Sequence, residues 1–474
     1  MADGNGAGNR EAPMDPWDRP LVLSLDGGGV RGLSSLYILR DIMQKIKDLD
    51  ANGGDEPLEP QNEKLPLPCN YFDFIIGTSA GGLMLGRLRM DVDNCIKEYW
   101  IMSTKIFLPH RMRPLLYSRS SIHNAAKEIV ERHCGCGEER HVATNCNLLR
   151  QADYRERWEQ DDNPELGRIN GTCKSAVVTV RDSGITTTFD GRVTNRNDGD
   201  EITRLLRTYN HWRRGGRADL ERPAELNPTE LHGSRITIAD ACSFTTAAPM
   251  YFRSVWYEGR RYIDGAVMAN NPAVVAWNEA VQMANPPNHL APAWEPTIYP
   301  KALVSIGTGR KRQASRFNGR LALLSWLKVA KHVITETSES HKNAVSLASG
   351  RDASYFRFDV PEDQQRSTRK LSEIALDECK TSRRQPSSTY NDLSESVERA
   401  VSQARARDQR LREDVTRLEY RGKFDPAKYT YGTFDKLRDR TVIYLYGSDR
   451  SSDDPAIERP VQQYIEACAR LLLQ

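Results

Sequence analysis

Short apolar runs punctuate the first 360 residues, each too short for a helix and each closed by a polar or glycine-bearing break. They are Leu21–Leu25, Phe72–Ile76, Ser175–Val180, Lys301–Ile306 and Tyr355–Val360. Continuous apolar runs of this length predict strands covered on both faces, as in a parallel α/β sheet. Between them the period changes. Leu33, Leu36, Tyr37, Ile42, Met43, Ile46 and Leu49 recur at helical spacing until Asn52-Gly53-Gly54 ends the segment. Further helices are expected at Leu83–Leu88, Asp91–Phe107, Ile236–Ala248, Pro272–Met283, Leu321–Thr335 and Val461–Leu473. Tyr251–Trp256 and Arg260–Ile263 read as short strands joined at Glu258-Gly259, and Ile185–Phe189 as the hairpin partner of Ser175–Val180. Thr441–Tyr446 (TVIYLY) reads as a strand on its β-branched and aromatic content. From about 364 to 421 the chain is charge-rich and helical in character, and Glu395–Arg421 predicts a solvated helix packing through Val397 and Val401. A lipid-facing basic face is the second reading of that helix.

The stretch Tyr71–Leu85 organises the rest. Its strand ends at Gly77, and Gly77-Thr78-Ser79-Ala80-Gly81 fits G-x-S-x-G, in which glycines allow a sharp strand-to-helix turn with the serine at its tip. The helix start that follows supplies unpaired N–H groups and a positive dipole end beside Ser79. The first strand likewise delivers Asp26-Gly27-Gly28-Gly29-Val30-Arg31-Gly32 to its C-terminal edge. This loop contains G-x-G-x-x-G, yet no G-K-[ST] and no ribose-reading acid follows, so an oxyanion cradle suits it better than a dinucleotide. Arg31 suits either an anionic headgroup or a brace for the loop. Asp264-Gly265-Ala266 closes the Arg260–Ile263 strand. An aspartate there is placed like a catalytic acid or base, although an Asx turn is the commoner use.

Composition narrows the function classes. The chain has 474 residues, enough for one enlarged α/β domain or a domain with appendages. With 67 basic and 64 acidic residues the net charge is +3, which argues against a dedicated nucleic-acid surface. The first 19 residues are polar and rich in Gly, Pro and Asp, which predicts a disordered tail. No apolar stretch is long enough to span a bilayer, so any membrane contact is expected to be peripheral. Nine scattered cysteines fit reduced thiols and a cytoplasmic location. His133, Cys134, Cys136, His141 and Cys146 cluster, but at no standard zinc spacing. Residues 131–170 read as a polar insertion in a domain spanning 20–360, and 361–474 as a charged C-terminal region whose last strand and helix pack on the core.

D-G-G-G-V-R-G after the first strand, G-T-S-A-G after the second and D-G-A after a later hairpin, in that order, resemble the patatin-like phospholipase family. The A-C-S-F-T-T-A-A-P-M-Y-F and S-I-G-T-G stretches are also similar to that family's core. The resemblance implies a three-layer α/β/α sandwich around a mostly parallel, doubly wound sheet. It implies a Ser-Asp dyad acting on lipid acyl esters, with Ser79 as nucleophile, Asp264 as its partner, and Gly27, Gly28 and Gly29 forming the oxyanion loop. Gly77, Gly81, Gly32, Gly265 and Arg31 complete the matched motifs. No cofactor or metal is required, and the expected partner is a membrane lipid or lipid aggregate. A lipid-binding or regulatory protein that retains the scaffold without turnover is the alternative, and nucleotide binding by the glycine loop a weaker third.

Overall fold

In the computed structural model, the described residues are 19–53, 64–79, 82–107, 117–134, 146, 148, 173–181, 185–187, 193–195, 203–209, 236–249, 251–257, 260–285, 296–309, 337–361, 374, 394–417, 432–447 and 461–473. The expected tail at 1–18 and helix at 321–335 lie outside them.

The apolar runs form the strands β1 (Leu21–Leu25), β2 (Phe74–Thr78), β3 (Lys174–Arg181), β9 (Ala302–Ile306) and β10 (Ser354–Phe358) of one sheet. All five run parallel, in the order β10-β9-β1-β2-β3. Three antiparallel strands extend it beyond β3: β6 (Thr203–Arg207), β8 (Arg260–Asp264) and, on β8, β7 (Val255–Tyr257). Because β2 and β9 flank β1 on opposite sides, the crevice beyond the C-terminal end of β1 is a topological switch point, where open α/β sheets bind ligands.

Strand alternation sorts the side chains into two cores. Leu21, Leu23, Leu25, Ile75, Val304 and Ile306 face one layer of helices, whereas Val22, Phe74, Ile76 and Leu303 face the other. The first layer contains α1 (Gly32–Gly53), α2 (Val92–Phe107), α3 (Arg119–His133) and α4 (Ile238–Thr245). The short α5 (Ala266–Ala269) precedes α6 (Ala273–Ala284), which forms the second layer with α7 (Ser338–Ala348). The architecture is therefore the expected sandwich. Among the described residues no helix is long and apolar enough to cross a membrane.

The charge-rich extension consists of α8 (Glu395–Arg417), α9 (Thr433–Tyr446) and α10 (Val461–Leu473). Val397 and Val401 are buried against Val442 of α9, as the pattern indicated. The helix is not simply solvated, however. Asp408 is completely buried and accepts hydrogen bonds from Tyr37 (2.6 Å), Arg40 (3.0 Å) and Arg438 (3.2 Å), tying α8 to α1 and α9.

Several expectations are corrected. TVIYLY is the end of α9, because Leu437, Thr441 and Leu445 bury one helical face and Asp435 Oδ2 accepts from Gly432 N–H (3.0 Å) at the helix start. Ile185–Thr187 (β4) pairs with Val193–Asn195 (β5) in a separate small sheet; the antiparallel neighbours of β3 are β6 and β8. Leu83–Arg87 is a wide π-type turn rather than an α-helix, and it brings Gly86 against Ser175. α3 was not anticipated, although Ile122, Ala125, Ala126, Ile129 and Val130 carry helical spacing and are buried.

Candidate active site

The sheet register brings the three motifs to one level. Leu25 pairs with Gly77 and Thr78 with Val178, while Thr179 pairs with Asp264. Gly27 and Ser79 each follow the Leu25–Gly77 pair by two residues, just past the strand ends, and Asp264 stands across β3 one residue beyond the Thr78–Val178 pair.

Ser79 leaves β2 with φ 77°, in the left-handed region that costs a non-glycine residue roughly 1–3 kcal/mol. The surroundings fix it there. Its N–H donates to Thr245 Oγ1 (2.9 Å), Thr245 Oγ1 donates to the Val178 carbonyl (2.7 Å), and Thr78 Oγ1 donates to the Ala269 carbonyl (2.6 Å). Gly82 opens the helical turn so close to β2 that a Cβ would lie 2.7 Å from Gly77 N. Gly77 is within β2, and Ala80 and Gly81 lie outside the described residues.

The glycine loop is held from both ends. Asp26, at its start, receives two hydrogen bonds from Arg357 of β10, from Nη1 (2.8 Å) and Nη2 (2.6 Å). Arg357 also donates to Ser305 Oγ (2.7 Å) and Asp359 Oδ2 (2.9 Å), and Asp359 Oδ1 accepts from Gly309 N–H (2.8 Å). Gly27 N–H donates to the Asn270 carbonyl (2.9 Å), so it is not available to an oxyanion. The Gly28 and Gly29 N–H groups carry no such hydrogen bond among the described residues. Gly29 adopts φ 53°, a conformation suited to glycine, and its carbonyl accepts from the Tyr99 hydroxyl (2.5 Å). Burial holds that hydroxyl well above the usual tyrosine range, so it is a donor at neutral pH. Gly32 begins α1 against the same hydroxyl. Arg31 is buried, its Nε has no hydrogen-bond partner among the described residues, and burial pushes its pKa down to about 10 against the opposing charge of Asp359.

Asp264 is 6% exposed at the end of β8. Its Oδ1 accepts from Ala266 N–H (2.8 Å), which is the Asx turn that the sequence left open. Among the described residues no cation pairs with it. Burial pushes its pKa up to about 7, with the Ala266 N–H opposing. Gly265 permits this geometry, since a Cβ there would meet the Val178 carbonyl at 2.5 Å.

Ser79, Asp264, Gly27, Gly28 and Gly29 line one cavity. Met102, Ile106 and Phe107 of α2, Ile122 of α3, and Tyr251 and Phe252 make most of its wall apolar, and no histidine among the described residues lines it. Ser79 and Asp264 are not hydrogen-bonded to each other; they meet only through the shared cavity. Thr245, Tyr99, Asn270 and Arg357 escaped the sequence reading. Asn270 stands two residues before the expected Pro272–Met283 helix, but nothing in the local sequence links Thr245 or Arg357 to Ser79 or Asp26.

The cysteine cluster is elsewhere. Cys134 and Cys146 sulfurs lie 3.3 Å apart and His133 Nε2 contacts Glu98 (2.8 Å), while Cys136 and His141 lie outside the described residues. Among the described residues no three potential ligands gather into a metal site.

Comparison with known proteins agrees with this geometry. Residues 23–277 match the patatin-like phospholipase family. Patatin-like phospholipase 1 of Plasmodium falciparum is 22% identical over 370 residues, which cover 74% of this chain and 44% of that protein. Patatin-like protein 2 of Arabidopsis thaliana is 24% identical over 389 residues, 73% of this chain and 79% of that protein. Human calcium-independent phospholipase A2-gamma is 24% identical over 379 residues, 76% of this chain but 38% of the human protein. The chain thus spans less than half the length of the Plasmodium and human relatives. With a match that runs from β1 into α6 and takes in all three motifs, the chain belongs to the patatin-like phospholipase family.

Proposed function

We propose that the protein is a lipid acyl hydrolase of the phospholipase or lipase type, acting through Ser79 and Asp264 without calcium. One observation carries the reading: a serine held at φ 77° after a buried strand shares an apolar cavity with a buried carboxylate that no cation among the described residues neutralises. An ordinary carboxylate is too weak a base for an alcohol. Asp264, raised to about 7 by burial, is far better matched, and it is substantially ionised at neutral pH.

In this mechanism Asp264 takes the Ser79 proton as Oγ attacks the acyl carbonyl, and the carbonyl electrons move onto oxygen. The Gly28 and Gly29 N–H groups stabilise that oxyanion, a role in which removing one donor typically costs about 10²–10³-fold in rate. Collapse breaks the acyl C–O bond; Asp264 returns the proton to the departing alcohol or lysolipid, leaving an acyl-enzyme. Water, deprotonated by Asp264, then attacks the acyl carbon, and the fatty acid leaves as Ser79 recovers its proton. The apolar wall accommodates the acyl chain, and burying each methylene contributes roughly 0.8 kcal/mol. The similarity to calcium-independent phospholipase A2-gamma supports the same reading.

The test is hydrolysis of a water-soluble fluorogenic ester and of phosphatidylcholine, with a chelator present, by the wild type, Ser79→Ala and Asp264→Asn. Activity in the chelator that both substitutions abolish is expected. Full activity in folded Ser79→Ala would overturn the proposal. The missing Ser79–Asp264 hydrogen bond favours a second reading, a lipid-binding scaffold without turnover, and a folded wild type that binds lipid but hydrolyses neither substrate would establish it.

A further inference from the structure

The stretch from Ala248 to Ala266 contributes to the cavity at both ends but not in the middle. Ala248, Tyr251 and Phe252 line the cavity, the chain then runs out through β7 and back through β8, and it rejoins the lining at Asp264 and Ala266. Alternation gives this ribbon two unlike faces. Val255 pairs with Tyr262, both buried, and the Phe244 ring packs on those of Tyr262 and Tyr257 at 5.2 and 5.7 Å between centroids. Trp256 pairs with Arg261 on the opposite face.

Trp256 is 65% exposed, the most exposed large apolar side chain among the described residues. It occupies β7, the outermost strand of the sheet on that side. Arg253, Arg260 and Arg261 are exposed around it, against one acidic residue, Glu258, in the intervening sequence. An indole ring left in water beside arginines has the chemistry of a lipid headgroup layer: the ring favours the interface, and the guanidinium groups favour anionic phosphates. Arg261 precedes Asp264 by three residues, about 10 Å along an extended strand.

We propose that the exposed side of the β7–β8 ribbon, Trp256 and Arg261 on its outer face with Arg253 and Arg260 exposed at its ends, docks the protein on an anionic lipid surface. The inference rests on the acyl-hydrolase reading of the cavity, and it adds a location for the interfacial contact. The ribbon continues at one end into Tyr251 and Phe252 and at the other into Asp264 and Ala266, all of which line the cavity, so a lipid surface seated on it is joined to the cavity through the chain at both ends. The ribbon's inner face is fastened to Phe244, which lets the outer face bear on the lipid without disturbing Asp264.

The experiment uses the full chain with vesicles of phosphatidylcholine alone and of phosphatidylcholine mixed with phosphatidylserine. Wild type, Trp256→Ala and the double variant Arg260→Gln/Arg261→Gln are compared for co-sedimentation, vesicle-lipid hydrolysis, hydrolysis of a water-soluble short-chain ester, and melting temperature. Binding to the mixed vesicles is expected to fall roughly tenfold for Trp256→Ala and roughly fivefold per arginine neutralised, with vesicle hydrolysis falling alongside. Soluble-ester hydrolysis and melting temperature stay unchanged, and added salt weakens the wild type more than the double variant. Mixed-vesicle binding that is equal in all three proteins overturns the proposal, as does a wild type that hydrolyses the soluble ester but binds no vesicle; the latter, leaving the hydrolase reading intact, points to an acidic protein or nucleic acid as occupant. Vesicle binding that depends on Trp256 and the arginines, in a protein that hydrolyses neither substrate, supports the docking surface and overturns the hydrolase reading instead.

Discussion

Two aspartates end strands at one edge of the sheet, each is followed by glycine and each is buried, yet their surroundings give them opposite tasks. Asp26 faces Arg357 in a two-bond ion pair backed by Ser305 and Asp359, which fixes the start of the glycine loop. Asp264 has, among the described residues, one backbone N–H and no cation, so burial is left to raise its pKa to about 7. Burial alone does not make a carboxylate a base. A guanidinium partner makes it a fastening, and the absence of one leaves it close to protonation at neutral pH.

Substitution at the two positions separates these tasks. Asp264→Asn should lower kcat roughly 10³-fold to 10⁴-fold, measured on a soluble ester. Stability should move the other way. The folded-state pKa of Asp264 lies above its value of 3.8 in an unfolded chain, so the folded protein binds the extra proton between about pH 4 and 7 and loses stability as pH rises through that window. Above pH 7 the penalty is on the order of 4 kcal/mol, and the neutral amide escapes it. Denaturant unfolding at pH 8 and pH 4 should therefore show Asp264→Asn more stable than the wild type at pH 8, with the gap closing at pH 4. Equal stability at both would mean that the carboxylate is not desolvated.

At the other aspartate, Arg357→Met strips the partner from a buried charge and should destabilise the fold by roughly 3–5 kcal/mol. Adding Asp26→Asn should recover part of that loss, since the stranded charge is then removed. A double variant no more stable than Arg357→Met alone would show that Asp26 was not the group left unpaired. The smallest effect is expected at Thr245→Val, which leaves the Ser79 N–H unsatisfied at a cost of about 1–3 kcal/mol. Its signature is a fall in kcat larger than any change in melting temperature accounts for.

How much of this was legible follows from the range of the interactions. The parallel strands were readable because each is a continuous apolar run, and the turns at Ser79, the glycine loop and Asp264 because turn chemistry is local, whereas the pairing of Ser79 with Asp264 followed only from the family resemblance. α9 was misread because TVIYLY favours a strand by propensity, whereas burial of Leu437, Thr441 and Leu445 on one face decides for helix. Arg357 stands 331 residues from Asp26 and Thr245 stands 166 from Ser79, and neither belongs to a pattern with its partner. The same distance hid Gly27's engagement with Asn270, which leaves Gly28 and Gly29 as the loop glycines proposed to face an oxyanion. Period and turn residues report on neighbours in sequence; the partner that decides an aspartate's task comes from elsewhere in the sheet.

The central claim is that Asp264 is the base that activates Ser79, and the most direct measurement is the pH dependence of Ser79 phosphonylation by a neutral fluorophosphonate, in which the Oγ–P bond forms as fluoride leaves. The rate in the wild type should rise through an apparent pKa of about 7 as Asp264 loses its proton, and Asp264→Asn should react far more slowly with that rise abolished. A wild-type rate already flat from pH 5 upward, or an unchanged rise in Asp264→Asn, would contradict it.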